Sequence, residues 1–375
     1  MVLLFGRHFK RAELLRYIGS IDQLGGVQLL EIIDGPGKGV RVALVRTGEI
    51  SFLVALDRSM DIANAEYKGI PIGWISHTGI VAPQFFEPEG YGWLRGFFGG
   101  LLTTCGLTYV GAPTVDLGEE LGLHGRISYA PARFVRAGGE WQGDEYIIYI
   151  EGEVRESKVF GPNIVLRRRI ETRLGSRKIH IHDVVTNEGW NREPFMILYH
   201  FNIGFPIVDS GSRLVLTSTK YVPRDEEAWK EVEKFDVFQE PTKGFKERVY
   251  FHDLAIDEKG FSYSGIINEK LGLGVYIKFK KIELNRFIEW KMNAEGHYVV
   301  GMEPANCLVM GRDKERDWGT LQYLEPQESR EFDLEFGVLV GKNELENFIK
   351  KVNLIIEGKR PRLIRSIEDF IKDTR

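Results

Sequence analysis

Short segments in which apolar and polar residues alternate with a period of two recur along most of this chain, and few helical patterns separate them. VRVALV, ISFLVALD, EYIIYIEGEV, IVLRRRIETRL, KIHIHDVVT and RLVLTST are rich in β-branched and aromatic residues, the composition of half-buried strands. RVYFHDLAI, FSYSGII, GVYIKFKKI, FIEWKM and YVVGMEP continue the pattern, and EFDLEFGVL closes it. In that last segment Phe332, Leu334, Phe336 and Val338 project to one side, and Glu331, Asp333 and Glu335 to the other, because successive strand side chains alternate between faces. Strands this frequent, with so little helix between them, argue against βαβ winding and for an all-β fold, a large antiparallel sandwich or barrel. The 42 glycines fit the density of turns such a fold needs.

Helical spacing is confined to the margins. Leu14, Leu15 and Ile18 predict a short helix over residues 10–18, stopped by Gly19 and the Gly25-Gly26 pair. DEEAWKEVEKF, residues 225–235, reads as a helical insertion between strands, and NELENFIKKVNLII and RSIEDFIKDT as C-terminal helices packed outside. No internal repeat or low-complexity linker interrupts the chain. The expected organisation is a helical lead-in over 1–29, one β-domain over 30–340 and C-terminal helices over 341–375.

Composition excludes several function classes. With 50 basic and 54 acidic residues, a net charge of −4, the chain lacks the positive field of a nucleic-acid binder. Cys105 and Cys307 are the only cysteines, too few for a disulfide scaffold and not arranged as a metal-binding pair. No apolar run reaches the ~18 residues that suggest a membrane span, and the opening MVLLFGRHFKRAELL lacks a signal-peptide pattern, so a cytoplasmic location is expected. GPGKG at 35–39 lacks the Ser/Thr and spacing of a phosphate loop and reads as a turn. GxSxG, HExxH and a complete GxGxxG are absent, leaving chemistry by dispersed acid–base groups.

Three residues stand out for that chemistry. His124 lies in the turn-rich GEELGLHGRIS, after the glycine-dense FFGGLLTTCGL; His200 ends the apolar run FMILYHFNIGFP, with Asn202 two residues on; Glu303 ends the apolar strand before Pro304 in HYVVGMEPANC. A carboxylate in such a run needs a partner or a task. Two imidazoles and a carboxylate suffice for proton transfer on a neutral polyol, with His as acid and Glu as base, and equally for a His/His/Glu metal site. Arg58 and Arg126 are candidate substrate contacts, since a guanidinium holds hydroxyls or an anionic group bidentately; for Arg58 an internal ion pair with Asp57 or Asp61 is the competing reading. Trp93 and the other tryptophans offer apolar platforms for a sugar ring, and Asn202 joins the binding set. His180 and His182 share one strand face, better explained by solvation than by a metal, and Arg167, Arg168 and Arg169 alternate in direction and form no basic patch.

At these residues the chain resembles the galactose mutarotase-like superfamily, and within it the aldose 1-epimerase-related DUF4432 family. The resemblance rests on DRSMDIANAEYKGIPIGWIS, GWLRGFFGGLLTTCGL, GEELGLHGRISYAPA, LYHFNIGFP and GMEPANC. It implies an antiparallel β-supersandwich with an open sugar-binding cleft, interconversion of α and β anomers of a monosaccharide or sugar derivative, and no cofactor or metal. It also implies roles: His124 in LHG binds substrate, His200 in YHFN is the general acid, and Glu303 in MEP is the base. The glycine-rich FFGGLLTTCGL stands where characterised mutarotases carry an Asn-Arg segment. Two other readings of the same cleft remain at this stage: an isomerase or epimerase acting at carbon with metal assistance, and a carbohydrate-binding protein without catalysis. Membrane or nucleic-acid partners are not expected, and the sequence leaves the oligomeric state open.

Overall fold

The computed structural model describes residues 1–374. Among them, two large sheets of thirteen and eight strands dominate. The larger sheet carries the strands Glu193–Gly204 and His297–Ala305 side by side near its middle, flanked by Leu102–Leu107 and Arg286–Ala294. The pairings among these strands are antiparallel. The smaller sheet runs from Arg133–Gln142 through Asn163–Arg173, Lys178–Asn187 and Ser329–Val340 to Arg213–Leu216. This is the all-β antiparallel sandwich that the alternation anticipates.

The sheets meet through their apolar faces. Phe201 stacks on Phe336 at 6.1 Å and Phe287 on Phe279 at 6.3 Å, each ring contributed by a different sheet. These rings are exposed by 1% or less, and each is worth about 1.5–3 kcal/mol of transfer free energy. One charged cluster interrupts this interior. Arg168 donates to Asp183 on the neighbouring strand at 2.7 and 2.9 Å, to Asp61 across the sandwich at 3.0 Å, and to Thr104 at 2.9 Å; Tyr199 donates to the same Asp183 at 2.7 Å. Arg167 and Arg169 point outward to surface glutamates, as alternation along the strand requires.

The margins depart from expectation in extent. The N-terminal helix spans only Arg11–Leu14, and a two-stranded ribbon, Val2–Leu4 with Arg7–Phe9, precedes it. Only Leu14 of that helix is buried and Leu15 is largely exposed, so no apolar face exists to extend a short, marginal helix. Gly26–Glu31 already forms the edge strand of the large sheet, so strand structure begins before residue 30. The 225–235 insertion contains one helical turn, Glu226–Trp229, capped by Asp225, followed by a 3-10 turn. Gly341–Ile355 packs Leu345, Phe348 and Val352 on the outside of the smaller sheet, and Ile367–Asp373 docks Phe370 and Ile371 against the larger one. Residues Gly35–Gly37 form a 3-10 turn. No helix among the described residues is long and apolar enough to cross a membrane.

Candidate active site

Along Glu193–Gly204, Phe195, Ile197, Tyr199 and Phe201 enter the core between the sheets, while Met196 and Leu198 belong to a second apolar cluster on the opposite face. His200 shares their parity and projects onto that outer face. The register that opposes Phe201 to Met302 places His200 directly across from Glu303. Their side chains converge, His200 Nε2 lying 3.2 Å from Glu303 Oε1, out of line for a hydrogen bond. The two residues are 5% and 2% exposed.

Space for the carboxylate comes from Gly301, two residues before Glu303 on the same face. A Cβ at Gly301 would lie 2.2 Å from Glu303 Oε1 and 3.0 Å from the Trp290 Cβ. The carboxylate is the mobile end of a flexible side chain, so it would yield before the backbone does. Gly301→Ala is therefore expected to fold with little change in melting temperature and yet to lose about 10²-fold in kcat, the usual result of an ~1 Å misplacement of a reacting group. Paired thermal melts and rate measurements test this; an unimpaired rate would contradict it.

His124 reaches the site from a loop rather than a strand. Its backbone is left-handed, φ 56°, as is that of Gly125, φ 74°. The His124 amide donates to the Gly111 carbonyl at 3.0 Å, and its carbonyl accepts from the Gly106 amide at 3.1 Å. A side chain at position 125 would run into the Tyr109 and Gly106 carbonyls at 2.5 and 2.6 Å. The glycine of LHG thus lets the loop lie against the sheet and turn His124 inward. The two imidazoles face each other edge-on at 6.1 Å.

Aromatic rings wall the site. Trp93 lies 4.9 Å from His124 and stacks on Phe97 at 4.6 Å; Phe97 and Trp290 each lie 5.4 Å from His200, and Trp74 meets Trp290 at 6.2 Å. Trp74 and Trp290 are partly exposed. The Trp290 indole donates to Glu247 at 2.8 Å, and Arg224 spans Glu247 and Asp225, both at 2.8 Å.

These surroundings set the protonation states. Burial drives Glu303 well above the ordinary 4.5, Glu247 adding to the effect and Arg224 opposing it. Burial, reinforced by His124 and partly offset by Asn202, drives His200 well below 6.5. Burial also lowers His124 to about 4. Burial thus favours the neutral form of both groups, whose nearest atoms lie 3.2 Å apart. Among the described residues, no three His, Cys, Asp or Glu side chains come together to hold a metal ion.

Residues 37–338 match DUF4432, a domain of unknown function. The chain belongs to the DUF4432 family. A Klebsiella pneumoniae subsp. pneumoniae MGH 78578 protein, provisionally named an aldose 1-epimerase, superposes with a TM-score of 0.87 at 25% identity, covering 92% of this chain and 93% of its own. A galactose mutarotase-like protein from Clostridium acetobutylicum gives 0.59 at 14% identity, over 85% and 99%. Galactose 1-epimerase from Lactobacillus acidophilus NCFM gives 0.56 at 13%, over 85% and 100%; these two likenesses concern the fold. No curated protein matches the chain.

Within this DUF4432 chain, the remaining candidates fall outside the contact set. Arg58 is fully buried and donates to the Ser128, Val81 and Gly96 carbonyls at 2.6, 2.7 and 3.0 Å, its plane 3.8 Å from the Tyr129 ring. Each of its three nitrogens is thus engaged by main chain, and the buried group has no exposed surface to offer a substrate. Neither proposed ion pair forms, because Asp57 binds Arg41 and Asp61 binds Arg168. Trp93 is buried, donates to Ser128 at 2.7 Å and backs His124 instead of facing the opening. Asn202 donates to the Gly99 and His200 carbonyls at 3.0 and 2.9 Å, so its amide is engaged by the main chain beside His200. Arg126 lies over Phe86 and lines a cavity of about 880 Å³ beside the His124 loop. His180 and His182 are half-exposed and face Glu335 and Asp333.

The buried histidines carry a stability signature. Burial holds His124 at about 4 and His252, on the strand Arg248–Leu254 of the large sheet, at about 3, against the ordinary 6.5. Between those values and 6.5 the unfolded chain binds protons that the folded one refuses, so stability falls as pH drops through this window, by about 1.4 kcal/mol per pH unit for each histidine. His252→Asn is expected to flatten the slope of unfolding free energy against pH by one proton between pH 6 and about 4. An unchanged slope in denaturant titrations would count against the assignment.

Proposed function

We propose that this protein is a sugar mutarotase, an isomerase that interconverts α and β anomers by acid–base ring opening and closure. The observation that carries the proposal is the His200–Glu303 pair, set opposite each other on neighbouring strands, 3.2 Å apart and shielded from bulk water. A hemiacetal needs a base at its anomeric hydroxyl and an acid at its ring oxygen, acting together. When the hydroxyls of a sugar enter between the two groups, the polar surroundings favour the ionised distribution, Glu303 carboxylate and His200 imidazolium. Glu303 then takes the anomeric hydroxyl proton, the C1–O bond to the ring oxygen breaks, and His200 Nε2 delivers its proton to that oxygen. The products are an open-chain aldehyde and the neutral pair found at rest. Rotation about C1–C2 and reversal of the steps close the ring on the other face.

His124, neutral at physiological pH, suits a hydrogen bond to the ring oxygen or an adjacent hydroxyl. Trp290 and Trp74 offer apolar faces for the sugar's C–H edge. Proton NMR exchange between α and β signals across neutral, acidic and phosphorylated monosaccharides tests the proposal. Acceleration of at least one sugar supports it; saturable binding with no acceleration of any would leave a carbohydrate-binding role.

A further inference from the structure

Two hairpin tips break the same local rules beside one cavity. The turn between Thr114–Asp116 and Glu119–Leu121 places Leu117 at φ 52°, and the turn after Glu145–Ser157 places Phe160 at φ 58°. Left-handed backbone is unfavourable for large side chains, and such positions normally go to Gly, Asn or Asp. Both side chains are also nearly free of contacts, Leu117 being 84% and Phe160 104% exposed, with Val159 and Val115 beside them at 79% and 59%. Phe5 and Phe134 combine the same two properties, but neither borders this cavity.

The hairpins flank the cavity of about 880 Å³, whose walls include Val115, Glu120, Lys158, Pro88, Glu89 and the Gly125–Arg126 end of the His124 loop. One face of the molecule therefore carries both projecting apolar knobs and a recess large enough for them. Its charges are complementary as well. Lys158, on the turn that carries Phe160, lines the recess together with Glu89 and Glu120, and among the described residues none of the three has an ion-pair partner.

We propose that this face is a self-complementary interface, occupied in solution by a second copy of the chain. A patch holding both a knob and its socket satisfies a two-fold operator, which repeats each contact and closes the assembly at two subunits. In this arrangement Phe160 and Leu117 of one protomer fill the recess of its partner, and Lys158 faces the carboxylates there. The partner would press on the segment that turns His124 inward, joining assembly to the site.

Light scattering with mass determination, on the full chain over a dilution series, tests this. The expected result is a dimer whose dissociation constant rises about 30-fold or more for Phe160→Asp and for Leu117→Asp, the scale of an interfacial hot spot, without loss of melting cooperativity. Lys158→Glu is expected to weaken the dimer, and adding Glu89→Lys and Glu120→Lys to restore it. A protein that stays monomeric at its highest soluble concentration, or a dimer indifferent to both aspartate variants, would overturn the proposal; in the former case the face is left to a different protein.

Discussion

Glu303→Gln is expected to lower anomeric exchange by about 10²–10⁴, the size of a single acid–base contribution, while leaving the fold intact. Glutamine has the shape of glutamate, and it matches the charge of the protonated carboxyl that burial favours at position 303. The substitution therefore removes the one property the mechanism requires, the capacity to accept and return a proton. His200→Asn should fall in the same range, and the double variant should lose little more than either single one, because the groups act as a unit on one proton. Rates from exchange NMR, with melting temperatures measured in parallel, separate this outcome from simple unfolding. Near-normal turnover in a folded Glu303→Gln protein would remove the carboxylate from the mechanism.

The largest expected effect on stability comes from Arg168→Met. Arg168, Asp61 and Asp183 have no exposed side-chain surface, and burial holds Asp61 at about 6 even with Arg168 beside it. Removing the guanidinium leaves two carboxyls without their counterion between the sheets, a loss of about 3–5 kcal/mol. The damage should also reach the site, since Tyr199, which donates to Asp183 at 2.7 Å, precedes His200 on its strand. Arg169→Met supplies the control: its partners Glu151 and Glu171 are about a third exposed, and loss of such pairs costs about 0–1 kcal/mol. Equal urea midpoints for the two variants would contradict the assigned role of the buried cluster.

The strands were legible because burial on one sheet face imposes a period of two. The N-terminal helix was overextended because helical spacing alone does not show whether a core awaits the apolar face, and only Leu14 finds one. His124, His200 and Glu303 could be picked out since each is a titratable residue in a setting that is otherwise glycine-rich or apolar. Arg58 was misread for a related reason: a lone arginine in LDRSMDI looks available, and no pattern reveals that three distant carbonyls converge on it. Trp290 left a faint signal, its parity in FIEWKM being opposite to that of the core residue Phe287. Arg224, Glu247 and Gly301 left none, because their importance lies in contacts between strands and loops far apart in sequence.

In the proposed reaction, proton transfer occurs on oxygen at the anomeric centre. Exchange NMR in deuterium oxide, beginning from a single anomer of a sugar the protein accepts, tests it most directly. The expected result is accelerated appearance of the second anomer, with every carbon-bound proton signal kept at full intensity. Loss of the C2 proton signal at the rate of turnover would show abstraction from carbon and contradict it.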